Sequence, residues 1–379
     1  MKIVIAPDSF KESLTAMQVA QAIEAGIRQA CPDARTQCLP MADGGEGTVQ
    51  AIIDATGGER RKSPITGALG ESRTAAWGWL DGQCAVIEMA QAAGLEHHAA
   101  HERDVMRASS TGVGELILAA LDAGATRIIL GLGGSSTNDG GAGLMVALGA
   151  RLTDAQGNDL QPGGAALRDL ATIDLAGLDP RLGQVRVELA CDVDNPLCGP
   201  HGASAVFGPQ KGASAQQVQE LDGALQQLAQ VMARTLGKDH RDTPGAGAAG
   251  GLGFAGLSLL GATMRPGVAL VAELTGLATH VADADLVFTG EGRMDAQTLH
   301  GKTPVGVARI AQAAGVPVIA LVGSLGDNYQ ATYPAGITAA FSLVPGPMDL
   351  AQACETAATQ LTARACDVMR LWRGAAAQG

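Results

Sequence analysis

Four acidic turns stand along this chain, each directly behind a short apolar run. Pro7-Asp-Ser-Phe-Lys11 follows Lys2–Ala6, and Met41-Ala-Asp-Gly-Gly-Glu-Gly-Thr48 follows Thr36–Leu39. Cys191-Asp-Val-Asp-Asn195 follows Val185–Leu189, and Gly290-Glu-Gly-Arg-Met-Asp295 follows Asp285–Thr289. Asp-Gly and Glu-Gly are common turns when met singly. Carboxylates repeated in this way are expensive to gather unless a cation or a proton transfer uses them. Asp, Asn and Glu beside hydroxyls are hard oxygen donors, better suited to Mg2+ than to a soft metal.

A fifth stretch has a different character. Gly131-Leu-Gly-Gly-Ser-Ser-Thr-Asn-Asp-Gly-Gly-Ala-Gly143 lies between the apolar run Arg127–Leu130 and the helical run Leu144–Leu148. Glycine lets backbone N–H groups approach a ligand. A helix start adds unpaired N–H groups and a positive dipole end. Together these suit an anion, most often phosphate.

The elements that must hold these loops can be read in order. Lys2–Ala6 is a strand. Thr15 and Gln18 form a capping box for a helix with Ala16, Ala20, Ile23 and Ile27 on one face. A strand at Thr36–Leu39 and a helix ending at Gly57-Gly58 complete a βαβα opening. Glu59–Met89 reads as short antiparallel strands with turns at Thr66-Gly67, Leu69-Gly70 and Asp81-Gly82. A helix spans Val113–Ala123. Ser214 and Gln217 cap a long helix that ends at Gly237. The βα pattern returns near residue 280 with strands at Asp285–Thr289, Val316–Val322 and Ile337–Val344. Pro304 sits in a first helical turn, and a last helix covers Leu350–Trp372. Residues 1–58 and 281–379 therefore make one five-stranded α/β domain, with 59–280 inserted. In open α/β sheets ligands bind at the carboxyl ends of the strands, where all these loops lie.

Composition narrows the function. At 379 residues, two domains are expected. A net charge of −12 argues against nucleic acid and anionic membranes. Seven scattered cysteines without a Cys-x-x-Cys pair fit a reduced, cytoplasmic protein. No signal-peptide layout and no membrane-length apolar run is present.

Other motifs fail on context. Gly301-Lys-Thr303 resembles a P-loop end, but Ala296 stands where its first glycine belongs. Gly245-Ala-Gly-Ala-Ala-Gly250 fits a dinucleotide pattern literally, which keeps a Rossmann-type NAD oxidoreductase as a lesser alternative. It follows His240-Arg-Asp-Thr-Pro244, which is no strand. His97, His98 and His101 read as an exposed loop cluster. Thr303 reads as an N-cap. Lys211 reads equally as a solvated loop lysine or a phosphate contact, and Asp43 and Asp139 read equally as helix caps.

The ordered blocks resemble the bacterial glycerate kinase family. They are Ala6–Lys11, Pro40–Thr48, Gly131–Gly141, Cys191–Leu197, Phe207–Gly212 and Thr289–Asp295. Glu12 stands where the family often has Gly, and Ser136 where Ala is frequent. The resemblance implies a flavodoxin-like doubly wound parallel domain built from both chain ends, with a larger inserted mixed α/β domain and the active site in the cleft. It implies ATP-dependent phosphorylation of D-glycerate to 2-phosphoglycerate. Another small hydroxy acid as acceptor, or 3-phosphorylation, is the runner-up.

Joining both lines assigns roles to residues. Phosphoryl transfer needs positioning, charge neutralisation and a base near the attacking hydroxyl. Asp192 is the first choice as base, because it follows a buried strand and should be rigidly held; Asp8, Asp43 and Asp194 compete. Lys11 and Arg293 offset anionic charge. Mg2+ draws on Asp43, Glu46, Glu291 and Asp295. The substrate- and nucleotide-binding set is Ser9, Gly44, Gly45, Gly133, Gly134, Ser135, Ser136, Thr137, Asn138, Asp194, Asn195, Gly290, Gly292 and Gln297. The partners expected are ATP and D-glycerate, with a homo-oligomer left open.

Overall fold

The structure is a computed structural model that describes residues 1–376. The chain divides into two compact units. One comprises residues 1–43, 50–57 and 266 onward; the other comprises 44–49 and 58–265.

The unit made from the chain ends is a five-stranded parallel sheet. Its spatial order is Ala339–Ser342, Val318–Val322, Leu286–Thr289, Lys2–Ile5, Arg35–Cys38. Numbered along the chain and read from the other edge, that is 2-1-3-4-5, the flavodoxin-like doubly wound order. Val318–Val322 is a run of apolar residues, all buried, as expected of a strand covered on both faces. Helix Ala16–Ala30 has the expected capping box of Thr15 and Gln18. It buries Val19, Ile23 and Ile27 against Leu361, Ala365 and Met369 of helix Leu350–Ala376. The crossing is close: a Cβ on Gly26 would lie 2.1 Å from the Thr362 carbonyl oxygen. The order reverses between Lys2–Ile5 and Leu286–Thr289. The crevice at such a switch point is the favoured ligand position in this sheet class. Pro7–Lys11 and Gly290–Asp295 are the two loops that leave it.

The other unit is a six-stranded mixed sheet. Its order is Thr263–Arg265, Arg186–Ala190, Arg127–Gly131, Cys84–Glu88, Ser72–Leu80, Glu59–Thr66. The first four strands are parallel and the last two pairings antiparallel. Asp81 and Gly82 both take positive φ, 48° and 70°, as a tight twisted hairpin turn requires. The long helix runs Ala215–Leu236, with the expected Ser214–Gln217 capping box and Gly237 left-handed at its end. The short strand Thr263–Arg265 was not anticipated; three residues give no readable alternation. Among the described residues no helix is long and apolar enough to cross a membrane.

Candidate functional site

In the chain-end unit, Asp8 and Glu291 stand on the two loops of the switch point. The Asp8 backbone N–H donates to the Gly290 carbonyl at 2.9 Å, tying the loops together. Gly290 is required there, since a Cβ would lie 2.1 Å from the Leu321 carbonyl oxygen. Asp8 Oδ1 accepts from the Ser9 N–H at 2.7 Å, and Oδ2 accepts from the Thr303 hydroxyl at 2.5 Å. Burial, then the neighbouring charge of Asp43, pushes the Asp8 carboxyl up to about 7, against the pull of those hydrogen bonds. Asp8 is half-buried as a residue; Glu291 is buried, and its carboxyl too is raised, chiefly by desolvation. It accepts from the Thr298 hydroxyl at 2.6 Å and lies 3.4 Å from Lys302 Nζ.

The charges of Asp43 and Glu291 both raise Asp8, so acids gather at this switch point, with Lys302 paired to Glu291. That donor set fits a hard cation. Among the described residues no three His, Cys, Asp or Glu side chains are already arranged to hold a metal. Mg2+ needs only one or two protein carboxylates when phosphates and water complete its shell. Asp295 is placed differently. It caps the turn Ala296–Leu299 by accepting from the Gln297 N–H at 2.9 Å, and it pairs with Arg293 at 3.2 Å. The Arg293 side chain and Lys11 are exposed. Thr303 is not the N-cap; Lys302 occupies that position, and Pro304 lies in the first turn as expected. Thr303 is fully buried and serves Asp8 instead.

In the inserted unit, the two glycine-rich stretches meet backbone to backbone. A Cβ on Gly133 would lie 2.7 Å from Gly45 Cα, and one on Gly131 would lie 2.7 Å from the Gly44 oxygen. Glu88 pins the second stretch. It ends strand Cys84–Glu88 beside Gly131, and its carboxylate accepts from the N–H groups of Val49 at 2.6 Å and Gly47 at 3.4 Å. Burial pushes this carboxyl up to about 7. Glu46 is exposed.

Within the Gly131–Gly143 loop, Asp139 is a structural cap. It is fully buried and accepts from the Ser110 N–H and hydroxyl, each at 2.8 Å, and from Gly141 and Gly143 N–H, each at 3.1 Å. The Leu144 N–H donates to the Ser110 hydroxyl. The start of helix Ala142–Ala147 is thus already satisfied, and its N–H groups are not the phosphate contact anticipated from the sequence. Ser136 donates through its N–H and hydroxyl to the Ala93 carbonyl. Asn138 donates to the Ser204 hydroxyl at 2.8 Å. Thr137 Oγ1 and Asn138 Oδ1 are buried and have no hydrogen-bond partner. Lys211 is not a solvated lysine: it is 1% exposed and donates to Ser135 Oγ at 2.8 Å and the Thr137 carbonyl at 2.6 Å.

Asp192 and Asp194 are exposed on the loop after Arg186–Ala190, so burial does not fix them. Asn195 donates to the His201 carbonyl at 2.9 Å. The dinucleotide-like glycines have a packing role: a Cβ on Gly250, at φ +66°, would lie 2.0 Å from the Thr137 carbonyl oxygen. His97 is half-buried rather than exposed, with ring contacts to the Ala90 carbonyl at 2.7 Å and Arg73 at 2.8 Å. Glu88, Lys211, Thr298 and Thr303 were missed or misjudged from sequence. The one readable signal was Glu88, a lone carboxylate closing the apolar run Cys84–Ile87 at a strand's carboxyl end.

Known proteins identify the family. The family model described as "Glycerate kinase family" matches residues 3–373. The chain is 53% identical to "Glycerate kinase" of Bacillus subtilis (strain 168), covering 97% of each chain. It is 53% identical to "Glycerate 2-kinase" of Escherichia coli (strain K12), covering 91% of each. A crystal structure from Salmonella typhimurium LT2, of a protein provisionally named glycerate kinase 2, superposes with a TM-score of 0.90 at 50% identity over 99% of both chains. Matches of this extent, on a fold and acidic loops of this kind, place the chain in the glycerate kinase family.

Proposed function

We propose that this protein transfers the γ-phosphoryl group of ATP to the 2-hydroxyl of D-glycerate, giving 2-phosphoglycerate and ADP. The relatives' names support the acceptor and the reaction class. The observation that carries the chemistry is Asp8, a shielded carboxyl at the switch point, oriented by Ser9 and Thr303. As the substrate oxygen bonds to phosphorus and the bond to ADP breaks, Asp8 takes the hydroxyl proton. Its position near neutrality suits a general base better than the exposed Asp192.

The residues present fit Mg2+, which Asp43 and Glu291 would hold, with Glu46 and Asp295 as the wider acidic set; when bound it neutralises phosphate charge. Lys302, Lys11 and Arg293 supply cationic side chains for the phosphate or the glycerate carboxylate. The Gly133–Asn138 turn receives an anionic oxygen, and Gly44 and Gly45 allow its close packing. The seven free cysteines support a reducing, cytoplasmic setting.

The test is turnover of ATP with D-glycerate, glycolate, lactate and tartronate, with phosphorylated products resolved by NMR. Glycerate-dependent formation of 2-phosphoglycerate is the expected result. A 3-phosphorylated product, or preference for another acceptor, overturns the regiochemistry or the substrate.

A further inference from the structure

Lys211 is a buried lysine with a restricted set of partners; burial pulls its ammonium down to about 7, against the charge of Asp139. It ends the short turn Pro209–Lys211, and its side chain is enclosed. Among the described residues no carboxylate lies within ion-pair distance of its ammonium. The charged group that acts on it is Asp139, on the same loop it binds; Arg103 donates to the adjacent Gln210 carbonyl at 3.3 Å. Asp139 spends its oxygens on Ser110, Gly141 and Gly143. A lone buried ammonium is costly, and two hydrogen bonds offset it only in part. Met at this position would fill the same space without that penalty, so stability alone does not account for the lysine.

The geometry around it is directional. Lys211 Nζ reaches the Ser135 hydroxyl and the Thr137 carbonyl, which flank Ser136. Ser136 turns the other way and is bound twice to the Ala93 carbonyl. The tripeptide is therefore held from two sides, directly behind strand Arg127–Gly131. Thr137 Oγ1 and Asn138 Oδ1, buried without partners, lie on the same turn.

We propose that Lys211 is a positioning residue of the Gly131–Asn138 loop: it fixes Ser135 and Thr137 and holds one positive charge beneath the turn for the anionic substrate group bound there. This rests on the phosphotransfer reading above. Lys211 does not touch the substrate. It presets the turn and lowers the electrostatic penalty of bringing a carboxylate or phosphate to it.

The kinetic test compares wild type, Lys211→Met and Lys211→Arg. Lys211→Met is expected to raise KM for ATP or D-glycerate about tenfold or more, with kcat changed less than threefold and the melting temperature kept or raised. Lys211→Arg is expected to recover part of the loss. Unchanged KM values for both substrates, or a lowered melting temperature as the only effect, overturn the proposal. A second measurement needs no variant to fold. In wild type, the 15N resonance of the Lys211 ammonium is titrated with pH, alone and with ATP or D-glycerate. One of these anions is expected to move its titration upward by about one pH unit, and no movement with either overturns the proposal. Absence of glycerate turnover by wild type would remove the phosphotransfer reading, while the titration decides the lysine's role independently.

Discussion

The Thr303 hydroxyl donates to Asp8 Oδ2 at 2.5 Å, across 295 positions of sequence. This bond orients the proposed base and pulls its proton affinity down, against burial and Asp43. Asp8→Asn is expected to lower kcat about 10²-fold or more with the fold intact. Thr303→Val removes the stabilising donor, so Asp8 stays protonated to higher pH and the acid limb of the pH–rate profile moves upward; Thr303→Ser leaves it in place. Near-normal turnover by Asp8→Asn would assign the base elsewhere.

Asp192 provides the contrast. It is exposed, on a loop whose neighbour Val193 is 40% exposed. Asp192→Asn should change kcat less than about tenfold, well short of a general base. A loss equal to that of Asp8→Asn would restore Asp192 to the role that its place behind a buried strand first suggested.

The Glu88 carboxyl is raised from 4.5 to about 7 by burial, so the native state binds its proton more tightly than the unfolded chain. Its contribution is fully present below pH 4.5 and is lost as pH rises toward 7. Glu88→Gln cannot lose a proton, and its melting temperature should fall less between pH 5 and 7.5 than that of wild type. The difference corresponds to at most about 3 kcal/mol. Parallel melting-temperature curves for the two proteins would show that Glu88 does not titrate there.

Glu12 has φ +63°, a conformation that costs a side-chain-bearing residue about 1–2 kcal/mol. Glu12→Gly relieves that strain but gives the unfolded chain more freedom. A net gain of about 0.5–1 kcal/mol is expected in denaturant midpoint, with kcat unchanged. Destabilisation would mean that Glu12 makes compensating contacts.

Asp139→Ala leaves the Ser110, Gly141 and Gly143 donors buried without their acceptor. A loss of about 3 kcal/mol or more in unfolding free energy is expected. A small loss would contradict the structural-cap assignment.

Local signals carried much of this fold. The capping boxes at Thr15–Gln18 and Ser214–Gln217 involve residues three apart, and both formed as read. Lys2–Ile5 and Leu286–Thr289 were legible because a buried parallel strand is a nearly continuous apolar run. The site was harder to read, because its electrostatics come from closure in space. Lys211 looks like a loop lysine until Ser135 and Thr137, more than 70 positions away, fold over it. Thr303 looks like a cap until Asp8 arrives from the opposite end of the chain. The left-handed run Ala249–Gly251 imitates a nucleotide motif because close packing onto the Thr137–Gly140 backbone also requires glycine.

The pairing of Ile3 with Leu286 has a consequence for how the molecule is made. Lys2, which begins one strand, and Asp285, just ahead of the other, are hydrogen-bonded across 283 positions. At ~5–20 residues translated per second, the first strand waits ~15–55 s for the central partner of its sheet. All of residues 58–265 are synthesised in that interval. Until then the hydrogen-bonding edge of Lys2–Ile5 is bare, and strand addition between neighbouring nascent copies competes with completion of the fold. The high contact order of this one pairing keeps the amino-terminal strand waiting for its central partner, although it is the first part of the chain to leave the ribosome.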